Sequence, residues 1–121
     1  MARPFDRILL PQVLGDLRGL AALDEALVDA ALQAITDLAE HRVVGKLLGD
    51  RTVSGDLSRC RRLRFDIEGE RSHRFRIIYR LRPDDARPDA VEVIAIGPRG
   101  GHAAYQTAAA RLLVEDGEGS D

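Results

Sequence analysis

Arginines alternate with apolar residues along two neighbouring segments in the middle of the chain. The basic members of this pattern are Arg62, Arg64, Arg74, Arg76, Arg80 and Arg82. Alternate residues of a β-strand face opposite sides of the sheet, so these arginines would share faces. A guanidinium forms two parallel hydrogen bonds to a phosphate and stays charged at ordinary pH. The pattern therefore predicts a basic sheet face suited to binding a phosphate.

The charge of the chain is segregated. The 121 residues have a formal net charge of −2, yet residues 42–82 hold eleven arginines and Lys46 against five acidic residues. A basic stretch flanked by acidic segments is typical of a local site that binds a polyanion. A solvated strand surface would look the same, because arginine is common on exposed strands. Charge alone does not decide between these two interpretations.

Hydrophobic periodicity predicts the elements that must position the arginines. We predict an apolar strand at residues 5–10, a helix from Pro11 to Leu20, and an amphipathic helix that Asp24 caps and that runs to about His41. Residues 42–58 are rich in Gly, Asp and Ser and predict a loop. Strands follow at residues 60–67, 74–82 and 91–96, and a last helix runs from His102 to Leu113.

This order predicts an α+β fold. An N-terminal strand and an αα-hairpin precede a three-stranded antiparallel meander and a C-terminal helix, and we expect the helices to pack on one face of the sheet. The length suits one domain, which we assign to residues 1–114. Residues 115–121 hold four acids and no base, so we expect a disordered acidic tail there.

Composition argues against several classes of protein. Cys60 is the only cysteine, so neither an internal disulfide nor a cysteine-based zinc motif is possible within the sequence. No apolar run approaches the ~18 residues that a membrane span needs, and the first residues do not resemble a secretory signal. We expect a cytoplasmic protein with no membrane segment, metal or cofactor.

Four short motifs together resemble the RelE/ParE toxin superfamily of type II toxin–antitoxin systems. Residues 45–49 (GKLLG) are similar to its "K-L-x-G" segment, and residues 62–64 (RLR) to its basic-apolar-basic strand. Residues 75–79 (FRIIY) are similar to its "Y-R-[IL]-[VI]-Y" strand. The last motif, residues 93–97 (VIAIG) with Arg99 and Tyr105, resembles its C-terminal signature. The resemblance covers roughly residues 5–113 and implies the fold described above.

The resemblance implies one of two activities. RelE-like members cleave mRNA in the ribosomal decoding site, whereas ParE-like members inhibit DNA gyrase and lack the RNA-cleaving residues. A co-encoded antitoxin normally binds and neutralises either kind, giving a toxin–antitoxin hetero-oligomer. The RelE-like catalytic set falls here on Arg62, Arg64, Arg76, Arg99 and Tyr105, which favours the mRNA interferase branch. Lys46, Arg62, Arg74 and Arg80 are further candidates for RNA binding.

RNA cleavage without a metal requires a base for the 2′-hydroxyl, an acid for the leaving 5′-oxygen and positive charge at the phosphorane. The arginines can supply that charge, and Tyr105 can stack on a base or orient a phosphate. Arginine is a poor general base, however, because it stays protonated. His102, Tyr105, Asp66 and Glu68 are the candidates for proton transfer, and we favour His102 because histidine exchanges protons near neutral pH.

Three functions therefore remain open from the sequence. The leading hypothesis is a toxin that cleaves mRNA on the ribosome. The alternatives are a gyrase-inhibiting toxin and a relative that binds RNA or a partner without catalysis. The alternative of binding without catalysis stays open because positions 62 and 64 hold arginine instead of lysine.

Overall fold

The computed structural model describes residues 3–51 and 55–117. It contains, in chain order, β1 (Asp6–Leu9), α1 (Val13–Leu23), α2 (Glu25–Ala39), β2 (Lys46–Arg51), β3 (Gly55–Phe65), β4 (Phe75–Arg82), β5 (Ala90–Pro98) and α3 (Ala103–Gly117). The predicted α+β fold is confirmed, including the N-terminal strand, the αα-hairpin, the meander and the C-terminal helix. No helix of these residues is long and apolar enough to cross a membrane.

The five strands form one sheet in the order β1-β5-β4-β3-β2. β1 runs parallel to β5, and the remaining neighbours are antiparallel. Residues 75–80 of β4 and 91–96 of β5 are all buried. A strand buried on both faces needs cover on both sides of the sheet, and the helices provide it.

The helices lie on both faces, so the expectation of one covered face was wrong. Tyr105 of α3 packs on Arg76 of β4. Ala30 of α2 lines a groove with Leu63 and Phe65 of β3. Arg76 is paired with Arg64, and alternation turns Leu63 and Phe65 to the opposite face from Arg64. The mostly apolar sequence of β5 agrees with this cover, since residues 91–96 are all buried.

The αα-hairpin forms as predicted. The side chain of Asp24 accepts a hydrogen bond of 2.9 Å from the backbone N–H of Ala26, so Asp24 caps α2. The apolar residues of α2 recur every three or four positions and form one buried face. Its buried members are Leu27, Ala31, Ala34, Ile35, Leu38 and Ala39.

The predicted loop at residues 42–58 was wrong, because it contains β2 and the beginning of β3. Gly45 and Gly49 suggested a loop, but β2 pairs with β3 from Lys46 onward. Gly49 has a positive φ of 74°, and the register shifts between Leu47 and Gly49. β2 is therefore an irregular edge strand. Its pairing partner, rather than its own residue preferences, makes it a strand.

The C-terminal helix is longer than predicted. α3 continues through Gly117, so residues 115–117 belong to the helix and not to the expected tail. Residues 118–121 lie outside the described part of the chain. A partly buried ion pair fixes this helix against the rest of the fold: Arg111 Nη1 lies 2.7 Å from Asp16 Oδ2. Asp16 Oδ2 also accepts the backbone N–H of Ile96 at 2.9 Å, so the contact joins α1, β5 and α3.

Two glycines offer a matched test of this packing. A Cβ at Gly45 would lie 2.5 Å from the carbonyl oxygen of Arg62 and 2.7 Å from Tyr79 Oη, whereas a Cβ at Gly15 of α1 meets nothing within 4 Å. We expect Gly45→Ala to lower the free energy of unfolding by ~1–3 kcal/mol, the usual cost of overpacking. Gly15→Ala should raise it by up to ~1 kcal/mol, because alanine favours a helix. Urea denaturation measures both, and equal effects of the two changes would contradict the close approach at Gly45.

Candidate nucleic-acid interface

Four of the predicted arginines and Tyr105 meet at the end of the sheet where β4 begins. Arg64 lies directly opposite Arg76 in the β3–β4 pairing. Arg62 precedes Arg64 by two residues and shares its face. Arg99 follows the end of β5 and bonds back to the chain just before β4. The charges of Arg62, Arg64 and Arg99 each lower the pKa of Arg76, so all three act on it electrostatically.

Lys46 extends this group on the adjacent strand. It is the cross-strand partner of Arg62 in the β2–β3 pairing, and its side chain is exposed. Directly paired residues lie with their Cβ atoms roughly 5 Å apart on the same face. We call Lys46, Arg62, Arg64, Arg76 and Arg99 the basic cluster.

Arg62 and Arg64 carry charges that no described residue neutralises. Arg64 is exposed and Arg62 half-buried. Neither side chain forms a hydrogen bond or an ion pair with any group that the structure describes in residues 3–51 and 55–117. Like charges directly opposite each other in a sheet are destabilising, so the pairing of Arg64 with Arg76 is unfavourable without an anion. The arrangement is typical of a surface that binds a phosphate.

Arg76 lies beneath this surface. Arg76 is 5% exposed, and its guanidinium carbon lies 4.4 Å from the centroid of the Tyr105 ring. Nη2 donates a hydrogen bond to the backbone carbonyl of Arg99, and Nε is buried with no hydrogen-bond partner among the described residues. Burial lowers the pKa of Arg76, Tyr105 opposes this shift, and the charges of its arginine neighbours add to it. Arg76 therefore has almost no surface with which to contact a ligand directly.

Arg99 is exposed at the rim of the cluster. Its backbone N–H donates to the carbonyl of Arg74 at 2.7 Å, and its Nη1 donates to the carbonyl of Ser72 at 2.9 Å. The segment after β5 is thus fastened to the segment before β4. This contact holds the Arg99 carbonyl over Arg76.

Tyr105 is not placed to stack on a base. It is 5% exposed, and Arg76 lies against its ring. The predicted stacking on an RNA base does not fit this position, because the Tyr105 ring is almost fully buried and the Arg76 guanidinium already lies against it. His102 is exposed one turn earlier, with its ring centroid 6.4 Å from that of Tyr105. His102 is therefore the titratable side chain at the open rim.

Two predicted RNA-binding arginines are engaged elsewhere. Arg74 Nε lies 2.8 Å from Asp66 Oδ2, and Arg80 Nε lies 2.5 Å from Glu92 Oε1. Arg80 is also only 4% exposed. Alternation suggested that both would lie on an open basic face, but each has a carboxylate partner. We therefore remove Arg74 and Arg80 from the candidate interface.

One of the two carboxylates proposed as a base does not fit that role. This holds for Asp66, which accepts hydrogen bonds from the Arg74 side chain and from the backbone N–H of Ile67. The hydrogen bond from Arg74 holds the pKa of Asp66 well below its usual range, so its carboxylate takes up a proton poorly. Glu68 is exposed and lines the groove beside α2, which Arg64 also lines, so it stays a candidate. The interpretation that Arg76 pairs with Asp66 also fails, because Arg74 holds this carboxylate.

Sequence reasoning missed the contacts that join distant segments. The pairing of Lys46 with Arg62 depends on β2, which was taken as part of a loop. The ion pair between Asp16 and Arg111 spans 95 residues of sequence, so no local pattern could indicate it. Among the described residues, no three His, Cys, Asp or Glu side chains lie together as a metal site would require.

The fold and this site define a small α+β domain with a basic cluster at one end of its sheet. The family model described as "ParE toxin of type II toxin-antitoxin system, parDE" matches residues 8–102. The chain therefore belongs to this family, within the RelE/ParE toxin superfamily. It is thus a toxin of the type II toxin–antitoxin class, for which the family implies a cognate antitoxin. Searches of curated proteins and of solved structures gave no match.

The lowered pKa of Asp66 predicts how the stability of the fold depends on pH. Its folded pKa lies below the unfolded value, so its carboxylate stabilises the fold above about pH 4 and this contribution is lost as the pH falls. Asp66→Asn should therefore be markedly destabilising at neutral pH and progressively less so in acid. Urea denaturation across this range measures the difference from wild type. Glu68→Gln, at an exposed neighbour, is the control and should show no such trend; a constant penalty for Asp66→Asn would contradict the assignment.

Proposed function

We propose that this toxin is an endoribonuclease that cleaves mRNA on the ribosome without a metal ion. The observation that supports it best is the pair of unneutralised arginines, Arg62 and Arg64, beside the buried Arg76. Two guanidiniums on one strand face, one exposed and one half-buried, can bind one phosphate from the same side. A third charge beneath them favours the extra negative charge of the phosphorane.

The proposed reaction is an attack by the 2′-hydroxyl of RNA on the adjacent phosphate. The O2′–P bond forms, the P–O5′ bond breaks, and a 2′,3′-cyclic phosphate and a 5′-hydroxyl result. Arg62 and Arg64 contact the phosphate oxygens, and Arg99 contacts the backbone at the rim. Arg76 adds charge from below, and Tyr105 fixes the position of Arg76. His102 donates the proton that the leaving 5′-oxygen needs.

The same cluster suits the antitoxin. We propose that an acidic segment of the cognate antitoxin covers the basic cluster in a toxin–antitoxin hetero-oligomer, and so excludes RNA. Carboxylates bind guanidiniums in the same two-pronged geometry as phosphates do. Binding of antitoxin and binding of RNA should therefore compete.

Inhibition of DNA gyrase is a second candidate, because the description of the matched family is that of ParE toxins. Such a toxin would bind its target without chemistry. A supercoiling assay with purified protein separates the two functions: inhibition of gyrase together with intact RNA would replace the nuclease proposal.

The nuclease proposal predicts that cleavage depends strongly on Arg62 and Arg64. Arg62→Ala with Arg64→Ala should lower the rate of mRNA cleavage by at least about 100-fold, because each charge-assisted contact contributes ~1.5–3 kcal/mol. Primer extension on translating ribosomes measures the rate. Growth arrest on expression should be lost in parallel.

Arg87→Ala is the matched control for this pair. Arg87 is exposed on the loop after β4, at the end of that strand away from the cluster. Its loss should leave cleavage and growth arrest unchanged. If the double alanine variant folds and arrests growth as wild type does, the nuclease proposal is wrong.

The proton-donating role of His102 has its own test. His102→Asn should lower kcat by ~100-fold or more, the usual contribution of a general acid, without weakening RNA binding. An RNA with sulfur in place of the bridging 5′-oxygen should restore cleavage, because a thiolate leaves without protonation. His73→Asn, at another exposed histidine, is the control. If the sulfur substrate rescues Arg62→Ala as well as it rescues His102→Asn, the assignment of His102 fails.

A further inference from the structure

The sequence contains a single lysine. Lys46 stands alone among eighteen basic residues, and the other seventeen are arginines. The difference matters chemically, because a lysine ammonium can lose its proton and then accept one, whereas a guanidinium stays protonated. The one side-chain amine of the chain is also an exposed member of the basic cluster. Contacts to the preceding residue, Gly45, hold Lys46 in this position.

The backbone just before Lys46 is fastened from the opposite face of the sheet. The N–H of Gly45 donates to Tyr79 Oη at 2.6 Å, and Arg61 Nη1 donates to the Gly45 carbonyl at 2.9 Å. Tyr79 is 1% exposed, and Arg61 is its cross-strand partner on β3. Both polar groups of Gly45 are thus held by side chains that do not belong to the cluster.

These contacts require a glycine. An ideal Cβ at position 45 would lie 2.5 Å from the carbonyl oxygen of Arg62, which is far inside contact distance. The close approach brings the beginning of β2 against β3 at Arg62. Lys46 is the next residue, and it pairs with Arg62.

The fastening matters because β2 has little else to set its register. It is an edge strand with one neighbour, and its pairing becomes irregular between Leu47 and Gly49. A slip of one residue would turn Lys46 to the other face of the sheet. The bonds to Gly45 oppose that slip, so they keep the side chain of Lys46 on the same face of the sheet as that of Arg62.

We propose that Lys46 is the general base of the cleavage reaction, and that Tyr79 and Arg61 are positioning residues that act through Gly45. This inference rests on the proposed nuclease function and supplies the base that the arginines lack. The amine nitrogen of Lys46 takes the proton of the 2′-hydroxyl while the O2′–P bond forms. The P–O5′ bond breaks, and the leaving 5′-oxygen takes a proton from His102.

The first test is Lys46→Arg, which keeps the positive charge and removes the base. Single-turnover cleavage of mRNA on ribosomes should fall by ~100-fold or more, while RNA affinity stays near that of wild type. The sulfur-substituted RNA should not restore the rate, because it bypasses the acid and not the base. Wild-type cleavage kinetics by Lys46→Arg would overturn the inference. Absence of cleavage by the wild-type protein would instead count against the nuclease function itself.

Chemical modification gives a second test, because Lys46 is the only side-chain amine in the sequence. Acetylation removes the base and should abolish cleavage. Reductive methylation leaves a tertiary amine that still accepts a proton, and should preserve most of the activity. The Lys46→Arg protein has no side-chain amine, so the same treatment of it measures the effect of modifying the N-terminal amine alone. Equal losses on acetylation and on methylation would contradict proton transfer by Lys46.

The positioning role is tested by a double-mutant cycle. Tyr79→Phe removes only the hydroxyl that accepts the Gly45 N–H, and should lower kcat with little change in KM. In the Lys46→Arg background the same change should have no further effect on cleavage, since the base is already absent. An equal fold-loss in both backgrounds would show that Tyr79 acts by another route. Thermal melting of each variant identifies a temperature at which all are folded.

Discussion

The structure depends on a concentration of like charge that the fold must tolerate. Arg64 faces Arg76 directly across two strands, with Arg62 and Arg99 close by. Repulsion between such neighbours opposes folding, and burial of Arg76 adds a desolvation cost. Two contacts offset part of this cost: the Tyr105 ring lies against the Arg76 guanidinium, and the Arg99 carbonyl accepts its Nη2–H. Both contacts come from residues that follow β5, so the C-terminal part of the domain stabilises the buried charge of Arg76.

The rest of the molecule treats arginine differently. Arg74, Arg80 and Arg111 each have a carboxylate within 3 Å, so their charges are neutralised where they contribute to the sheet or to α3. Arg62 and Arg64 have none among the described residues. The contrast separates structural arginines from those available to a ligand, which the alternating sequence pattern alone could not do.

Local sequence patterns predicted those parts of the fold that depend on neighbouring residues. The spacing of apolar residues gave α2, and the Asp24 cap followed from its position before the first apolar residue. Alternation placed Arg62 and Arg64 on one face, and the family resemblance added Arg76, Arg99 and Tyr105, which the structure brings together.

Contacts between distant segments were beyond local patterns. Glu92 neutralises Arg80 only because β4 and β5 pair in one particular register. β2 contains two glycines in or beside it and looks like a loop until its partner strand is present. The burial of Tyr105 likewise depends on how α3 is anchored, through Asp16 and Arg111. These are tertiary effects that override residue preference.

The cost of the basic cluster also explains why an acidic partner would bind there tightly. A carboxylate-rich segment on the cluster relieves repulsion that the free domain must bear, so part of the binding free energy comes from removing an unfavourable interaction rather than from adding contacts. A ligand that binds only the folded state raises stability by RT ln(1 + [L]/Kd), so the complex would be more stable than the free toxin. The same reasoning applies to the phosphate backbone of RNA. A surface that destabilises the free domain is therefore well suited to exchange one polyanionic ligand for another.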